Sequence, residues 1–328
     1  MKNPFWNREQ HRLRALWRLL GQAGLFVLGV FIAGLLVGAL LSLTRSFSPA
    51  SDALALSRIL GPLDRVLSTI VTVGSVWLAG RLLDHRSFAD FGFHLKREWW
   101  LDLAFGLALG AALMLAIFLL EWAAGWLTVT GFARTDGQPF VWGIAGGLFA
   151  FIAVGFYEEL LSRGYQLHNL AEGLSFRPLG RRWGLIGAWI LSSAVFGALH
   201  AANPNATTRS TTFLVLAGLF LGLGYILTGE LAIPIGLHIT WNFFQGNVFG
   251  FAVSGLRLGA TFIAIRQRGP ELITGGAFGP EAGLVGVGAM VLGSLAILGW
   301  VRWRRGKVAL CERIPAPPGE DQVPPHGG

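Results

Sequence analysis

The chain has 328 residues, of which 53% are hydrophobic and only 13% are charged, and this balance excludes an ordinary soluble domain. Its net charge of +8 is spread between apolar runs instead of clustering on one soluble face, which excludes a nucleic-acid partner. Cys311 is the only cysteine, so the sequence predicts neither a disulfide framework nor a thiolate metal site. We therefore expect a polytopic protein whose main partner is the lipid bilayer.

The apolar runs along the chain set the fold class. A helix that spans a bilayer needs about 20 predominantly apolar residues, and an open sheet edge cannot face lipid. We therefore predict an all-α protein, a polytopic transmembrane helix bundle of about eight spans. In chain order, the predicted spans are residues 19–43, 66–83, 100–129, 141–161, 183–200, 212–227, 231–251 and 282–301.

The connections between these runs predict the topology. Lys and Arg concentrate in alternate connections, beginning with the N-terminal segment, and positively charged loops favour the cytoplasmic side. Both termini are therefore expected in the cytoplasm, in a multi-pass protein of a bacterial inner membrane. The predicted regions are a basic cytoplasmic segment (1–18), N-terminal transmembrane helices (19–130), a core (141–251), a Gly-rich loop (252–281), the last transmembrane helix (282–305) and a disordered, proline-containing tail (306–328).

Three charged residues stand at the end of the fourth apolar run. Glu158, Glu159 and Arg163 lie at hydrocarbon depth, where a charge is costly unless it is paired or faces a cavity. Glu159 and Arg163 share one helical stripe, so the guanidinium can hold this carboxylate ionised and oriented. Glu158 points about 100° away and can act as a general base toward a water molecule. The alternative is a purely structural ion cluster.

Two later apolar runs contain the other polar candidates. His200 follows Phe196 by four residues, so an aromatic ring lies one turn from the imidazole. His238 and Asn242 repeat this spacing and place an imidazole and an amide on one helix face. Both groups can donate hydrogen bonds to charge that develops on a carbonyl oxygen, which predicts an oxyanion clamp. Each residue alone is more often a packing or bridging group, and their combination favours a site.

Together, these residues resemble the motifs of a known family. Order and spacing are similar to those of the CPBP family, the CAAX-protease and bacteriocin-processing intramembrane proteases. The segment around Tyr225, from Gly222 to His238, is similar to the one that joins motifs in many members. The three motifs that carry the resemblance are Glu158-Glu159-x-x-x-Arg163, Phe196-x-x-x-His200 and His238-x-x-x-Asn242.

The resemblance implies an activity and a role for each motif residue. Residues 141–251 would form a catalytic core in the later spans, which hydrolyses a peptide bond of a membrane-associated protein or peptide. The implied roles are water activation by Glu158 and His200, oxyanion stabilisation by His238 and Asn242, and support from Glu159, Arg163, Phe196 and Tyr225.

Cofactor and alternative functions complete the expectations. Members of the family are described both as metal-dependent and as glutamate-dependent enzymes. If a divalent metal such as zinc takes part, its expected ligands are Glu158, His200 and His238, although the chain has no His-Glu-x-x-His motif. We favour a metal-independent mechanism or a weakly held ion. Two other classes stay open: a catalytically silent relative that acts by partner binding in peptide immunity or secretion, and a polytopic transporter.

The predicted spans also contain a geometric conflict. Glu158 lies near one end of its helix and His200 near the opposite end of an antiparallel helix, which separates them by more than about 20 Å. The expected resolution is that the first helix continues well past Arg163, and that the second begins after Trp183 and runs beyond its histidine. The connection 253–281 is expected either to fold back over the bundle as a lid or to be an exposed loop without a chemical role.

Overall fold

The computed structural model describes residues 3–47, 53–176 and 178–318. The chain forms two compact units. The first contains the residues up to Phe88 together with the chain's end from Pro317, and the second is Ala89–Ala316. Helices dominate the described residues, which confirms the predicted all-α class.

Two long helices form the first unit. Its elements are the short antiparallel strands β1 (Trp6–Asn7) and β2 (Arg12–Leu13), helix α1 (Ala15–Phe47), helix α2 (Ala53–Ala79) and a π-helical turn, Gly80–Asp84.

A buried ion pair joins the two ends of this unit. Arg18 donates a hydrogen bond at 2.8 Å to the Asp84 carboxylate, and both side chains are almost completely buried. Arg12 donates to the backbone carbonyl of Asp84 at 3.2 Å. Two arginines of the predicted basic N-terminal segment are therefore packed inside the unit, because each finds an acceptor at the π-helical turn.

The second unit contains the remaining elements. In chain order these are α3 (Arg97–Ala123), β3 (Leu127–Thr135), α4 (Phe140–Glu159), a π-helix (Leu160–Leu167), α5 (His168–Leu174), α6 (Gly180–Leu199), a 3-10 turn (His200–Ala202), α7 (Thr208–Thr228), α8 (Ala232–Phe243), a π-helix (Phe244–Val248), β4 (Ala260–Gln267), α9 (Glu271–Thr274), a 3-10 turn (Pro280–Ala282) and α10 (Leu284–Arg305).

Seven helical segments of the described chain are long and apolar enough to cross a membrane. They are Ala15–Leu43, Leu63–Asp84, Arg97–Ala123, Phe140–Leu174, Gly180–Ala202, Thr208–Thr228 and Leu284–Arg305.

The seventh predicted span, residues 231–251, is a different kind of element. Helix α8 and its π-helical extension end at Val248, and every residue from 231 to 239 is buried. Helices α3, α4 and α7 pack around α8. Its apolar run therefore reflects burial inside the protein, which sequence hydropathy does not distinguish from contact with lipid.

Glycines bring α3 and α8 into close contact. A Cβ atom at Gly106 or Gly110 of α3 would collide with the α8 backbone, and one at Gly236 of α8 would lie 2.5 Å from the carbonyl oxygen of Leu103. Gly155 lets α4 approach α8 in the same way. These contacts confirm that Gly106 and Gly110 serve helix packing, as small residues do in membrane bundles.

The helices that carry the motifs run further than their apolar stretches. α4 continues without a break through the π-helix and α5 to Leu174, which confirms the predicted extension past Arg163. α6 runs on through the 3-10 turn to Ala202, also as expected. The predicted later start of α6 is wrong, because the helix begins at Gly180, before Trp183. Polar residues at both ends hid these extensions from hydropathy.

A small sheet replaces part of one predicted span and part of the predicted loop. α3 ends at Ala123, and residues 127–129, which we predicted to be helical, begin strand β3. β3 pairs with β4 in antiparallel fashion from Leu127↔Gln267 to Thr135↔Ala260. The Gly-rich connection is thus an ordered structure, because β3 supplies the hydrogen bonds that its own sequence could not.

The segment after α10 also differs from the prediction of a disordered tail. Cys311 donates its backbone N–H to the carbonyl of Ile226 at 2.8 Å, and Ile314 and Ala316 are buried. The prediction is wrong for this part, because apolar residues between the prolines are drawn into the folded unit. Residues 319–328 of the predicted tail lie outside the described residues.

Candidate active site

A change of helix type lies at the double-glutamate motif. α4 ends at Glu159 and the π-helix begins at the next residue. A π-helix carries an extra residue per turn and is frequent at functional sites. Glu158 and Glu159 end up in different surroundings: the side chain of Glu159 is fully buried, whereas that of Glu158 is 26% exposed. The two neighbouring carboxylates therefore differ in their access to solvent, and their predicted roles stay predictions.

Glu159 and Arg163 form the ion pair that their spacing predicts. Arg163 Nη1 donates to Glu159 Oε1 at 2.9 Å, with both side chains at most 1% exposed. Arg163 Nη2 donates to the backbone carbonyl of Gly218 on α7 at 3.0 Å. Its guanidinium carbon also lies 4.5 Å from the centre of the Phe196 ring on α6. One arginine thus connects three helices.

His238 joins this ion pair from α8. Its Nδ1 lies 2.7 Å from Glu159 Oε1, the same oxygen that Arg163 contacts. Its Nε2 lies 4.0 Å from Glu158 Oε2, beyond hydrogen-bond distance. The imidazole is therefore held by one carboxylate and turned toward the other.

His200 reaches the same region through Phe196. The rings of these two residues have centroids 4.7 Å apart, and the Phe196 ring is 6.3 Å from that of His238. His200 Nδ1 lies 2.8 Å from the backbone carbonyl of Phe196. A carbonyl oxygen only accepts hydrogen bonds, so Nδ1 carries a hydrogen, and in the neutral imidazole Nε2 is the acceptor. Phe196 is the common neighbour of Arg163, His200 and His238.

The remaining two predicted residues differ in position. Asn242 follows His238 by one helical turn on α8, is half-buried, and forms no side-chain hydrogen bond within the described residues. Tyr225 is fully buried about two turns, or roughly 10 Å, along α7 from Gly218. Its hydroxyl lies 3.3 Å from His168 Nδ1, in a neighbouring buried cluster, and its supporting role stays a prediction.

The expected metal ligands are not grouped in this structure. In the part of the chain that the structure describes, no three His, Cys, Asp or Glu side chains lie together as metal ligands. The Nδ1 atoms of His200 and His238 are hydrogen-bonded, so Nε2 is the nitrogen of each ring that could bind an ion. A metal held by Glu158, His200 and His238 stays a prediction.

Sequence reasoning missed two partners of the site. The carbonyl of Gly218 is an acceptor for Arg163. Gln245, one turn beyond Asn242, is fully buried and contacts Glu281 of the Gly-rich connection. Gln245 could have been found as a polar residue at helical spacing from His238 and Asn242, whereas a backbone carbonyl leaves no such signal.

A comparison with protein families identifies this region. Residues 140–244 match the family described as type II CAAX prenyl endopeptidase Rce1-like. The chain carries an Rce1-like domain. The match is consistent with the CPBP family and confirms the resemblance of the three motifs, all of which fall inside the matched residues. A search of curated proteins and a search of solved structures found no match to the chain.

The Rce1-like domain and the apolar helices together define the class of the protein. Rce1-like proteins are a protease family, and the seven candidate spans make this chain a multi-pass membrane protein. The matched residues begin at the start of α4 and end just after α8. The domain therefore coincides with the helices that bring the motif residues together.

Proposed function

We propose that the protein is an intramembrane endopeptidase that hydrolyses a peptide bond of a membrane-associated protein or peptide. The observation that supports this proposal most strongly is the sharing of Glu159 between Arg163 and His238, beside the less buried Glu158. The Glu159 carboxylate binds and positions the guanidinium of Arg163 and the imidazole of His238. The Glu158 carboxylate lies beside them without a hydrogen bond within the described residues, so it can accept a proton.

The charges of the cluster support distinct roles for its members. Two carboxylates and one guanidinium leave a net charge of −1 in a largely buried site. A proton on His238 makes the cluster neutral, which lowers the cost of burying it. An imidazolium held through Nδ1 by Glu159 presents its Nε2–H to the space beside Glu158.

The proposed reaction uses this arrangement in two proton transfers. Glu158 takes a proton from a water molecule, whose oxygen attacks the carbonyl carbon of the scissile bond. His238 and the amide of Asn242 donate hydrogen bonds to the oxyanion that forms. Glu158 then returns the proton to the leaving nitrogen, and the carbon–nitrogen bond breaks. His200 Nε2 accepts a hydrogen bond from the water and helps to orient it.

The expected setting is a membrane with both termini in the cytoplasm. α4, α6 and α10 each have one end in a connection that is rich in Arg or Lys, which is expected to face the cytoplasm. A bacterial inner membrane and an endogenous or imported peptide substrate are part of the proposal. The proposed substrate is an extended polypeptide segment that reaches Glu158 and Glu159 from the bilayer or from its surface.

Proteolysis by the purified protein tests the proposal. The detergent-solubilised full chain is incubated with a fluorogenic library of membrane peptides, beside Glu158→Gln and His238→Ala. Glu121→Gln is the matched control, because Glu121 is also a buried acid of a span but binds Gln267, outside the site. A parallel arm contains a chelator.

The proposal predicts cleavage by the wild type and the control, and its loss in both site variants, with or without chelator. If the wild type loses activity only when the chelator is present, the mechanism must be revised: a metal ion, and not Glu158 alone, would then activate the water. Equal cleavage by all variants, or none by the wild type, would contradict the protease proposal and favour partner binding or transport.

A further inference from the structure

An acidic residue outside the motifs lies at the entrance to the last span. Glu281 is 4% exposed and belongs to the 3-10 turn that precedes α10. Its Oε1 accepts a hydrogen bond from the backbone N–H of Ser254 at 2.5 Å, and its Oε2 accepts a short one from Gln245 Nε2. Both partners come from other segments, so this carboxylate joins parts of the chain that are distant in sequence.

The first of these segments is the end of α8. Gln245 is fully buried, one turn beyond Asn242 and two turns beyond His238. Its Nε2 also donates to the carbonyl of Ala252 at 2.6 Å. Both neighbours of this nitrogen are acceptors, so the amide orientation is fixed and Glu281 must receive the hydrogen bond. The bond holds the helix that carries His238 and Asn242.

The second of these segments is the connection at Ser254, which also holds the residue that follows α6 and its 3-10 turn. The carbonyl of Ser254 accepts a hydrogen bond at 3.1 Å from Asn203, which follows the 3-10 turn that begins at His200. His200 therefore occupies the last turn of its helix, where backbone hydrogen bonds run out and local opening is easiest. Ser254 receives Asn203 through its carbonyl and gives its N–H to Glu281. An anchor for the His200 turn thus ends at the same carboxylate.

We propose that Glu281 is a positioning residue of the active site, which fixes the His200 end of α6 relative to the His238 and Asn242 face of α8. The inference rests on the proposed protease function for its catalytic consequence. Its structural content is the chain of hydrogen bonds from Asn203 through Ser254 and Glu281 to Gln245, which crosses from one motif helix to the other without touching a motif residue.

The ionisation of Glu281 gives this role a signature in pH. Burial raises the pKa of Glu281 to about 7, against the hydrogen bonds from Ser254 and Gln245, which lower it. No charged side chain of the described residues contributes to this pKa, so its close neighbours are these uncharged donors. The ionised carboxylate accepts hydrogen bonds from both Ser254 and Gln245. The protonated acid has a hydrogen on one oxygen, so it loses one of these two hydrogen bonds. The connection between the helices is therefore complete only above about pH 7.

Kinetics of two single variants and their double variant test the inference. Glu281→Gln and Asn203→Ala each break one bond of the connection, and each is expected to lower kcat about tenfold with KM unchanged. The double variant should lose little more than either single one, because both act on one connection. The wild-type kcat should rise through pH 7, and this step should be missing in Glu281→Gln.

A neighbouring asparagine provides the matched control. Asn205 donates to the carbonyl of Gly255 at 3.1 Å, the same type and length of bond as that of Asn203, but one residue beyond the Glu281 contact. Its φ is positive, so Asn205→Gly removes the side chain without backbone strain. This variant should keep the pH step and should add its effect independently to that of Glu281→Gln. Additivity of Asn203→Ala with Glu281→Gln would overturn the inference.

Hydrogen exchange of the same proteins separates this inference from the protease proposal. Glu281→Gln and Asn203→Ala should both speed amide exchange in residues 199–203 and in the distant residues 242–248, whereas Asn205→Gly should leave 242–248 unchanged. If the wild type cleaves nothing, the protease proposal fails while this exchange pattern still decides whether the connection exists. Exchange changes confined to the mutated segment would overturn the inference even in an active enzyme.

Discussion

Two buried arginine–carboxylate pairs, one in each unit, have nearly the same length and very different neighbours. Arg18 and Asp84 meet at 2.8 Å, and Arg12 also donates to the backbone carbonyl of Asp84. Arg163 and Glu159 meet at 2.9 Å, but the same carboxylate oxygen also binds His238, with Glu158 beside it. The pair alone thus says little about function; what matters is whether a titratable group shares it.

The largest effect is expected at the carboxylate that belongs to neither pair. Glu158→Gln should reduce kcat by at least about 10³-fold, because the amide cannot accept the proton of the water. The melting temperature of the solubilised protein should change by only a few degrees, since the side chain is partly exposed and makes no bond. A fluorogenic peptide assay and a thermal-unfolding scan give both numbers. Retained activity would show that Glu158 is not the proton acceptor and has only a structural role, like Asp84.

Removal of the shared carboxylate should affect both activity and stability. Glu159→Gln leaves Arg163 buried without its counter-charge and removes the partner of His238 Nδ1. Breaking a buried pair costs about 3–5 kcal/mol, and we expect kcat to fall about 10²-fold in the molecules that remain folded. Activity per folded molecule, measured after size-exclusion chromatography, separates the two effects. A loss of stability with normal kcat would mean that the Glu159–Arg163 pair, like the Asp84–Arg18 pair, has only a structural role.

The matching change in the first unit should act on stability alone. Asp84→Asn is expected to cost about 3 kcal/mol, because it leaves the Arg18 guanidinium buried beside a neutral amide. The kcat per folded molecule should stay within about twofold of the wild type. The comparison fails if Asp84→Asn lowers kcat as far as Glu159→Gln does.

The smallest effect is a dependence of stability on pH, and it comes from Glu281, a buried acid whose hydrogen-bond donors are uncharged. Because the pKa of Glu281 is raised to about 7 in the folded protein, the folded state binds more protons than the unfolded state between about pH 4.5 and 7. The stability of the wild type should therefore fall as pH rises through this window. Thermal scans from pH 5 to pH 8 should show this slope, and Glu281→Gln should reduce it. An unchanged slope would place the titrating group elsewhere.

Residue spacing within one helix predicted contacts better than hydropathy predicted the limits of the spans. Glu159 and Arg163 are four residues apart on one helix, so a local rule is enough to pair them. The contact of His238 with this pair depends on helix packing, and no spacing in the sequence predicted it. Hydropathy mistook α8 for a span because a helix enclosed by protein is as apolar as one in lipid. It also missed β3, since strand pairing with a distant segment leaves no local signal.

Glycine and polar residues show the same limit on a smaller scale. Gly106 and Gly110 serve packing, which is the common use of small residues at helical spacing in membranes. The acceptor role of the Gly218 carbonyl was not predictable, since a backbone oxygen carries no sequence signature. Glu281 was overlooked for a related reason: it stands outside the apolar runs, and only the folded connection buries it.

The pairing of β3 with β4 has a consequence for how the protein is made. The two strands lie on either side of the Rce1-like domain, and their paired residues are separated by about 130 positions in the chain. At a synthesis rate of roughly 5–20 residues per second, β3 waits on the order of ten seconds for its partner to emerge from the ribosome. All helices that carry the motifs are synthesised during that interval. The nascent protein can therefore pair the sheet only after these helices have been made, and before α10 is complete.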